Sequence, residues 1–449
     1  MKIGFLGMSG IRAKDEKLLE LGLTLPGFVD RSKVVASLPS LGVLYLAACT
    51  PRHHELCYFE APSAASVPAE VYGCDVVAIS SLSAQISEAY QVADTLRVRG
   101  VTVVMGGLHV STMPNEAASH ADHVVVGEGE LVWPKILEAI ENGEKGAIWN
   151  ASKFGAVDVS LLPVPRYDLL LGREYNRFTV QTSRGCPWRC DFCASSVMLR
   201  QKYRKRPVET VIRDIKQLIR LFGEPYLEFA DDNTFVDKRW GKELCRELAP
   251  LGLKWFTETD ISVSEDEELL GLMREAGCRQ VLIGLESPTQ GALSGIELRA
   301  NFKARAFDSY RSSIERIQSH GITVNGCFIL GLDSHTPRIF EDVLSFANEA
   351  GLYEVQITVL TPFPGTPLYN RLLSEGRLID PYDWDSCTLF DVNFTPRGMS
   401  ADELRNGLYW LSENLYAASA IKSRRRKFFK GLKDRKGRFG LSDEVWRAA

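Results

Sequence analysis

Three cysteines fall within eight residues, in the run Arg184-Gly-Cys-Pro-Trp-Arg-Cys-Asp-Phe-Cys193. The spacing is Cys186-x3-Cys190-x2-Cys193. Three thiolates on one short loop can hold three irons of a 4Fe-4S cluster, leaving the fourth iron open to an exogenous ligand. A structural zinc would want four ligands, and no histidine or fourth cysteine follows nearby. The other seven cysteines, Cys49, Cys57, Cys74, Cys245, Cys278, Cys327 and Cys387, stand singly in apolar contexts. Such cysteines read as small buried hydrophobes. Ten cysteines in 449 residues are too sparse for a disulfide framework. The start, MKIGFLGMSG, lacks the apolar core and cleavage site of a secretory signal, so a reducing, cytoplasmic setting is expected.

A second kind of chemistry lies earlier, in Val103-Val-Met-Gly-Gly-Leu-His109 and Val124-Val-Val-Gly-Glu-Gly-Glu130. Each is a strand-like run ending in a glycine turn. Glycine there lets backbone amides approach a large planar or phosphate-bearing ligand. A third feature, Lys422-Ser-Arg-Arg-Arg-Lys-Phe-Phe-Lys430, is basic with apolar residues interleaved. A solvated helix end and adhesion to an anionic membrane surface both fit it. Nucleic acid fits less well, because no zinc ribbon or RNA-binding module stands beside it.

The elements that must position these residues alternate. In residues 1–150, strand patterns at Lys2–Leu6, Glu55–Phe59, Val76–Ser80, Val101–Met105 and Val124–Val126 interleave with helical patterns at 41–48, 88–99 and 131–141. This implies a doubly wound, Rossmann-like parallel sheet, with ligands at the carboxyl ends of its strands. Residues 151–175 carry Pro163 and Pro165 and read as a linker. From 176 to 370 six strand–helix units follow, beginning with Phe178–Thr182 just before the cysteines. A partial (β/α)6 barrel is expected, with its chemistry at the carboxyl strand ends. Residues 371–449 read as a mostly helical C-terminal region with a basic tail. The composition, 45% hydrophobic and 24% charged with a net charge of -4, excludes disordered and collagen-like chains. No apolar run approaches the ~20 residues of a membrane span.

With these residues in place, the chain resembles the radical S-adenosylmethionine (SAM) superfamily. That family carries the same cysteine spacing on the loop after the first barrel strand, with an aromatic residue, here Phe192, before the last cysteine. The resemblance implies that the open iron takes SAM, which is cleaved to methionine and a 5′-deoxyadenosyl radical, with electrons from an external donor such as flavodoxin or ferredoxin. In Phe229-Ala-Asp-Asp-Asn-Thr-Phe235 the family's Gly-Gly-Glu is replaced, and Asp232 is the residue expected to meet the SAM ammonium; a helix N-cap is the other reading of the two aspartates. In Val281-Leu-Ile-Gly-Leu-Glu-Ser287, Glu286 is expected beside the adenosine, or else in a structural ion pair. Thr361-Pro-Phe-Pro-Gly-Thr-Pro367 and Cys327-Phe-Ile-Leu-Gly-Leu332 are also shared.

The N-terminal half resembles the cobalamin-binding domain of cobalamin-dependent radical SAM enzymes. On that likeness Gly106, Gly107, Gly127, Glu128 and Gly129 line the corrin. Ser81 and Ser83 serve its nucleotide tail or simply cap a helix, and His109 touches the corrin or stays in a solvated turn. The Asp-x-His-x-x-Gly loop that ligates cobalt in other cobalamin proteins is missing, and His53-His54 lack its pattern. The implied activity is C-methylation of an unactivated carbon in a small-molecule or lipid substrate. A non-methylating rearrangement or oxidative cyclisation, with cobalamin assisting or lost, is the alternative.

Overall fold

The computed structural model describes residues 1–8, 13–24, 38–144, 146–195 and 203–439. The glycine at position 10 and the last ten residues of the expected helical C-terminal region lie outside them. The first sheet has six parallel strands: β1 (Lys2–Met8), β2 (Glu55–Ala61), β3 (Val76–Ser80), β4 (Thr102–Gly106), β5 (His123–Val126) and β6 (Ala147–Asn150), in the order β2-β1-β3-β4-β5-β6. Both faces are covered, as parallel sheets require. Along β1, Ile3 and Phe5 face one apolar core and Leu6 and Met8 the other. That is why this strand reads as a continuous apolar run rather than an alternation.

The second sheet is built from β7 (Phe178–Val180), β10 (Leu227–Phe229), β11 (Trp255–Thr259), β12 (Cys278–Glu286), β13 (Thr323–Leu330) and β14 (Glu354–Val359). All neighbours are parallel and the order is sequential, β7 at one edge and β14 at the other. This is the open six-stranded barrel the alternation implied. A two-residue antiparallel pair, β8 (Ser183–Arg184) with β9 (Arg204–Lys205), brackets the cysteine loop. Helix Val208–Phe222 shows how the outer layer forms. It buries Val208, Val211, Ile212, Ile215 and Leu218 against the barrel, an apolar stripe at helical spacing.

Residues 151–175 form three short 3-10 turns, with Ala151, Val159, Tyr167 and Leu170 buried. The Tyr167 hydroxyl donates to the Thr179 carbonyl at 2.9 Å. These side chains join the cores of the two sheets into one apolar cluster. The C-terminal region adds a helix at Ala401–Tyr416 and another at Ala418–Phe439. Phe428 in the basic run of the latter and Leu432 just beyond it are buried. Arg424 is buried too and donates to the Leu415 carbonyl at 2.8 Å. Lys422, Arg426 and Lys430 stay exposed. No helix among the described residues is long and apolar enough to cross a membrane.

Candidate functional site

The cysteine loop leaves the carboxyl end of β7 and is fastened along its length. Arg189 and Asp191 bond the strand-like segment 296–298: the Leu298 amide donates to the Arg189 carbonyl at 2.8 Å and the Asp191 amide to the Ile296 carbonyl at 2.9 Å. The Glu297 carboxylate, buried, accepts from the amides of Arg189, Arg299 and Ala300 at 3.1, 3.0 and 2.7 Å. Trp188 stacks on Phe302 with centroids 4.2 Å apart and donates to Asp260 at 2.9 Å. Phe192 is half-buried and packs against the apolar core. On the outer side Arg371 reaches Asp191 at 3.4 Å and Asp333 at 2.6 Å.

Cys186, Cys190 and Cys193 form no disulfide and are half-buried. Burial pushes the Cys186 thiol up to about 12, with Asp232 and Asp260 adding to the effect. Among the described residues, three donor atoms within 4.8 Å of one another occur at His53, His54 and Glu141 and not at these cysteines. Three thiolates on one short loop suit a polynuclear cluster, whose positive irons would ionise them.

The two aspartates after β10 separate into different jobs. Asp231 is fully engaged, accepting from the amides of Thr182 and Ser183, each at 2.8 Å, and from the Thr234 hydroxyl at 2.9 Å. Burial raises its carboxyl to about 6. Asp232 is left facing the cluster loop: burial raises it, opposed by hydrogen bonds from Ser195 and the Gly185 amide. Glu286 ends β12 with φ 63° and pairs with buried Lys303 at 2.6 Å. Lys303 also donates to the Gly284 carbonyl at 2.6 Å. A Cβ on Gly284 would fall 2.4 Å from the Glu286 carboxylate, so the pair sits where only glycine leaves room. The alternation of β11 places Glu258 on the face opposite Trp255 and Thr257. Burial, then Glu228, Asp232 and Asp231, push its carboxyl up to about 7. The sequence singled out neither Lys303 nor Glu258.

In the first sheet the carboxyl ends of β3, β4 and β5 come together. Gly107 adopts φ 112°, and a Cβ there would lie 3.3 Å from the Ser80 hydroxyl and 3.4 Å from the Ser81 carbonyl. Gly127 adopts φ 93° and its amide donates to Ser111 at 2.9 Å. A Cβ on Gly106 would lie 3.5 Å from Val125, and one on Gly129 would lie 3.1 Å from Leu46. Ser81 is buried and bonds the Leu82 carbonyl at 2.9 Å. His109 is buried, with Nδ1 3.1 Å from the Ser83 hydroxyl and Nε2 3.3 Å from Glu116, which also accepts from Trp384 at 3.1 Å. Both ring nitrogens are thus occupied.

Glu128 makes one of the contacts between the domains. It accepts from Arg184 at 2.8 Å and from Arg204 at 2.7 Å, while Arg184 also bonds Glu130 and, at 2.8 Å, Gln181. Burial works to raise the Glu128 carboxyl, but the two arginines outweigh it and hold it below the usual carboxylate range. Arg184 stands two residues before Cys186, so the glycine-turn edge of the first sheet is tied to the cluster loop.

A family model described as the radical SAM superfamily matches residues 180–347, one described as the B12 binding domain matches 29–137, and a domain of unknown function matches 366–445. The bacteriochlorophyllide d C-12(1)-methyltransferase of Chlorobaculum tepidum is 25% identical over 391 residues, 86% of this chain and 84% of that protein. The hopanoid C-2 methylase of Rhodopseudomonas palustris is 26% identical over 356 residues, 77% of this chain and 66% of that one. Among solved structures, the radical SAM methyltransferase TsrM of Kitasatospora setae, with cobalamin and a 4Fe-4S cluster bound, superposes with a TM-score of 0.63. It is 14% identical and covers 97% of this chain and 100% of its own. The chain belongs to the radical SAM superfamily, in the branch that carries a B12-binding domain ahead of the barrel. It is an enzyme, and its cofactors are a 4Fe-4S cluster, SAM and cobalamin.

The residues at the edge of the first sheet suit a broad ring with apolar faces. Leu82 and Leu131 stand there 55% and 39% exposed, beside glycine turns that keep the backbone low. His109 has both ring nitrogens engaged, and His53 and His54 precede β2 at the opposite end of the sheet. With cobinamide, which lacks the cofactor's own base, EPR of the Co(II) form is expected to show no nitrogen superhyperfine splitting. A nitrogen triplet that disappears in His109→Ala would put that ring on cobalt instead.

Proposed function

We propose that this chain is a cobalamin-dependent radical SAM methyltransferase that adds a methyl group to an unactivated carbon of a small-molecule or lipid substrate. One observation carries the reading. Arg184 spans Glu128 and Glu130 at the carboxyl edge of the B12-binding sheet and leads directly into Cys186. The corrin edge and the cluster loop therefore adjoin, as transfer between the two centres needs. The named activities of the two relatives, both methylations at carbon, support it.

When bound, the cluster and SAM supply a carbon-centred radical for hydrogen abstraction, and cobalamin supplies the transferable methyl group. The chain's own part is placement. Cys186, Cys190 and Cys193 would hold three irons, and the Glu297 clamp keeps their loop in one shape. Asp232, already aimed at that loop, is the residue we assign to the SAM ammonium. Lys303 neutralises Glu286 beside Cys190, which keeps a second acid from repelling the bound carboxylate. Gly107 and Gly127 keep Cβ atoms off the edge assigned to the corrin, and Ser81, Ser83 and Gly106 shape the floor beside it. Reduction of the cluster calls for an external one-electron donor such as flavodoxin or ferredoxin.

The test is an anaerobic incubation with SAM, a chemical reductant, hydroxocobalamin and trial substrates, read by mass spectrometry. A gain of one methylene unit is expected. Loss of hydrogens, or rearrangement without a mass change, would replace methylation with the cyclising alternative.

A further inference from the structure

The first sheet carries a second cluster of donors, at the end away from its glycine turns. His53 and His54 lie in the turn that enters β2, and Glu141 is the last residue of helix Trp133–Glu141. The Nε2 atoms of both histidines converge on one oxygen of Glu141, at 3.5 and 3.7 Å. The imidazole rings lie close together, with centroids 3.9 Å apart and planes tilted by 48°. All three donor atoms fall within 4.8 Å of one another.

These separations are long for hydrogen bonds to a carboxylate. They are close to the edge of a tetrahedron with metal–ligand bonds of the length zinc makes to histidine and carboxylate, roughly 3.4 Å. The surroundings also call for a cation. Glu141 sits at a helix C-terminus, where the backbone dipole disfavours an acid, and the last turn of that helix has no basic residue. Its ion-pair partners are the two histidines. The other nitrogen of His54, Nδ1, lies 3.3 Å from the Met1 amino group.

We propose that His53, His54 and Glu141 form a site for a borderline divalent cation of the zinc type, with water completing its coordination. The ligands come from segments 88 residues apart. The ion would therefore clasp the entry of β2 to the end of the helix and stabilise the B12-binding domain. It lies on the edge of the sheet opposite the cluster loop, so its role is structural.

The experiment uses full-length protein with its cluster reconstituted, so that iron occupies the three cysteines. It is dialysed against micromolar zinc and analysed for metals. About one zinc per chain is expected beyond about four irons, with a thermal midpoint raised by about 5 °C at a hundred-fold excess over Kd. His53→Ala and Glu141→Gln change exposed side chains and should keep the iron. Each should weaken zinc binding by at least about tenfold and remove the thermal shift. Absence of zinc from the wild-type protein, or binding unchanged in both variants, would overturn the proposal.

Discussion

Cys193→Ala is expected to take iron from about four per chain to background and to abolish SAM cleavage, while the fold stays intact. The loop does not depend on the thiol for its shape. Its path is set by the hydrogen bonds from the Asp191 amide to the Ile296 carbonyl and from the Leu298 amide to the Arg189 carbonyl, by the Glu297 carboxylate and by the stacking of Trp188 on Phe302. The substitution removes one sulfur from a half-buried position, a small loss beside a core that continues through both sheets. Circular dichroism and the unfolding midpoint of the metal-free protein should match the wild type. With two thiolates left, the cluster loses one of its three anchors, so its brown absorbance and its oxygen sensitivity should disappear together. Iron content and SAM cleavage surviving in Cys193→Ala would break the assignment of the whole loop. A similar loss is expected in Cys186→Ala and Cys190→Ala. The seven other cysteines should tolerate the same change without loss of iron.

The cysteine loop was legible because its chemistry is local: three ligands in eight residues need no tertiary information. The two sheets were legible for a similar reason, since each strand is short, apolar and closed by glycine or a polar turn. What escaped has partners far away in sequence or elements too short to show a period. β6 has four residues at the edge of its sheet, and β8 and β9 have two each. Glu128 looked like part of a ligand turn, yet its arginines are 56 and 76 residues distant. His109 looked available at a turn, yet Glu116 and Ser83 close both sides of its ring and Trp384 packs on it at 5.0 Å from beyond the barrel. Glu286 was read two ways, and Lys303, 17 residues on, pairs with it. Nothing in the spacing of Lys303 marked it, since a lone lysine in a helix is usually solvated. The basic tail was ambiguous on composition alone. Phe428 and Leu432 turn inward, which leaves an exposed face rich in Lys and Arg.

Arg184→Met is expected to destabilise the protein by about 3–5 kcal/mol, the usual cost of removing one partner from a buried ion pair. The guanidinium is only 8% exposed and uses all three of its nitrogens, on Gln181, Glu128 and Glu130. Methionine keeps much of the volume but leaves the carboxylates with less compensation. Glu128 still has Arg204 at 2.7 Å, so the larger deficit falls on Glu130. Adding Glu130→Gln to Arg184→Met should therefore recover part of the loss, and a double-mutant cycle measures how much. The pH dependence has a definite sign. Glu128 is held below its ordinary carboxylate value, so its contribution is complete above that value and is lost as pH falls through the depressed one. The gap between wild type and Arg184→Met, measured by chemical denaturation, should then be widest near neutral pH and shrink in acid. Function offers a readout that a merely structural role would not move. Since Arg184 ties the B12-binding edge to the cluster loop, loosening it should uncouple the two centres: SAM cleavage should persist in the folded variant while methyl transfer per cleavage falls. Equal stability at neutral pH, or cleavage and methylation falling in strict proportion, would mean that the seam does not set the geometry between the domains.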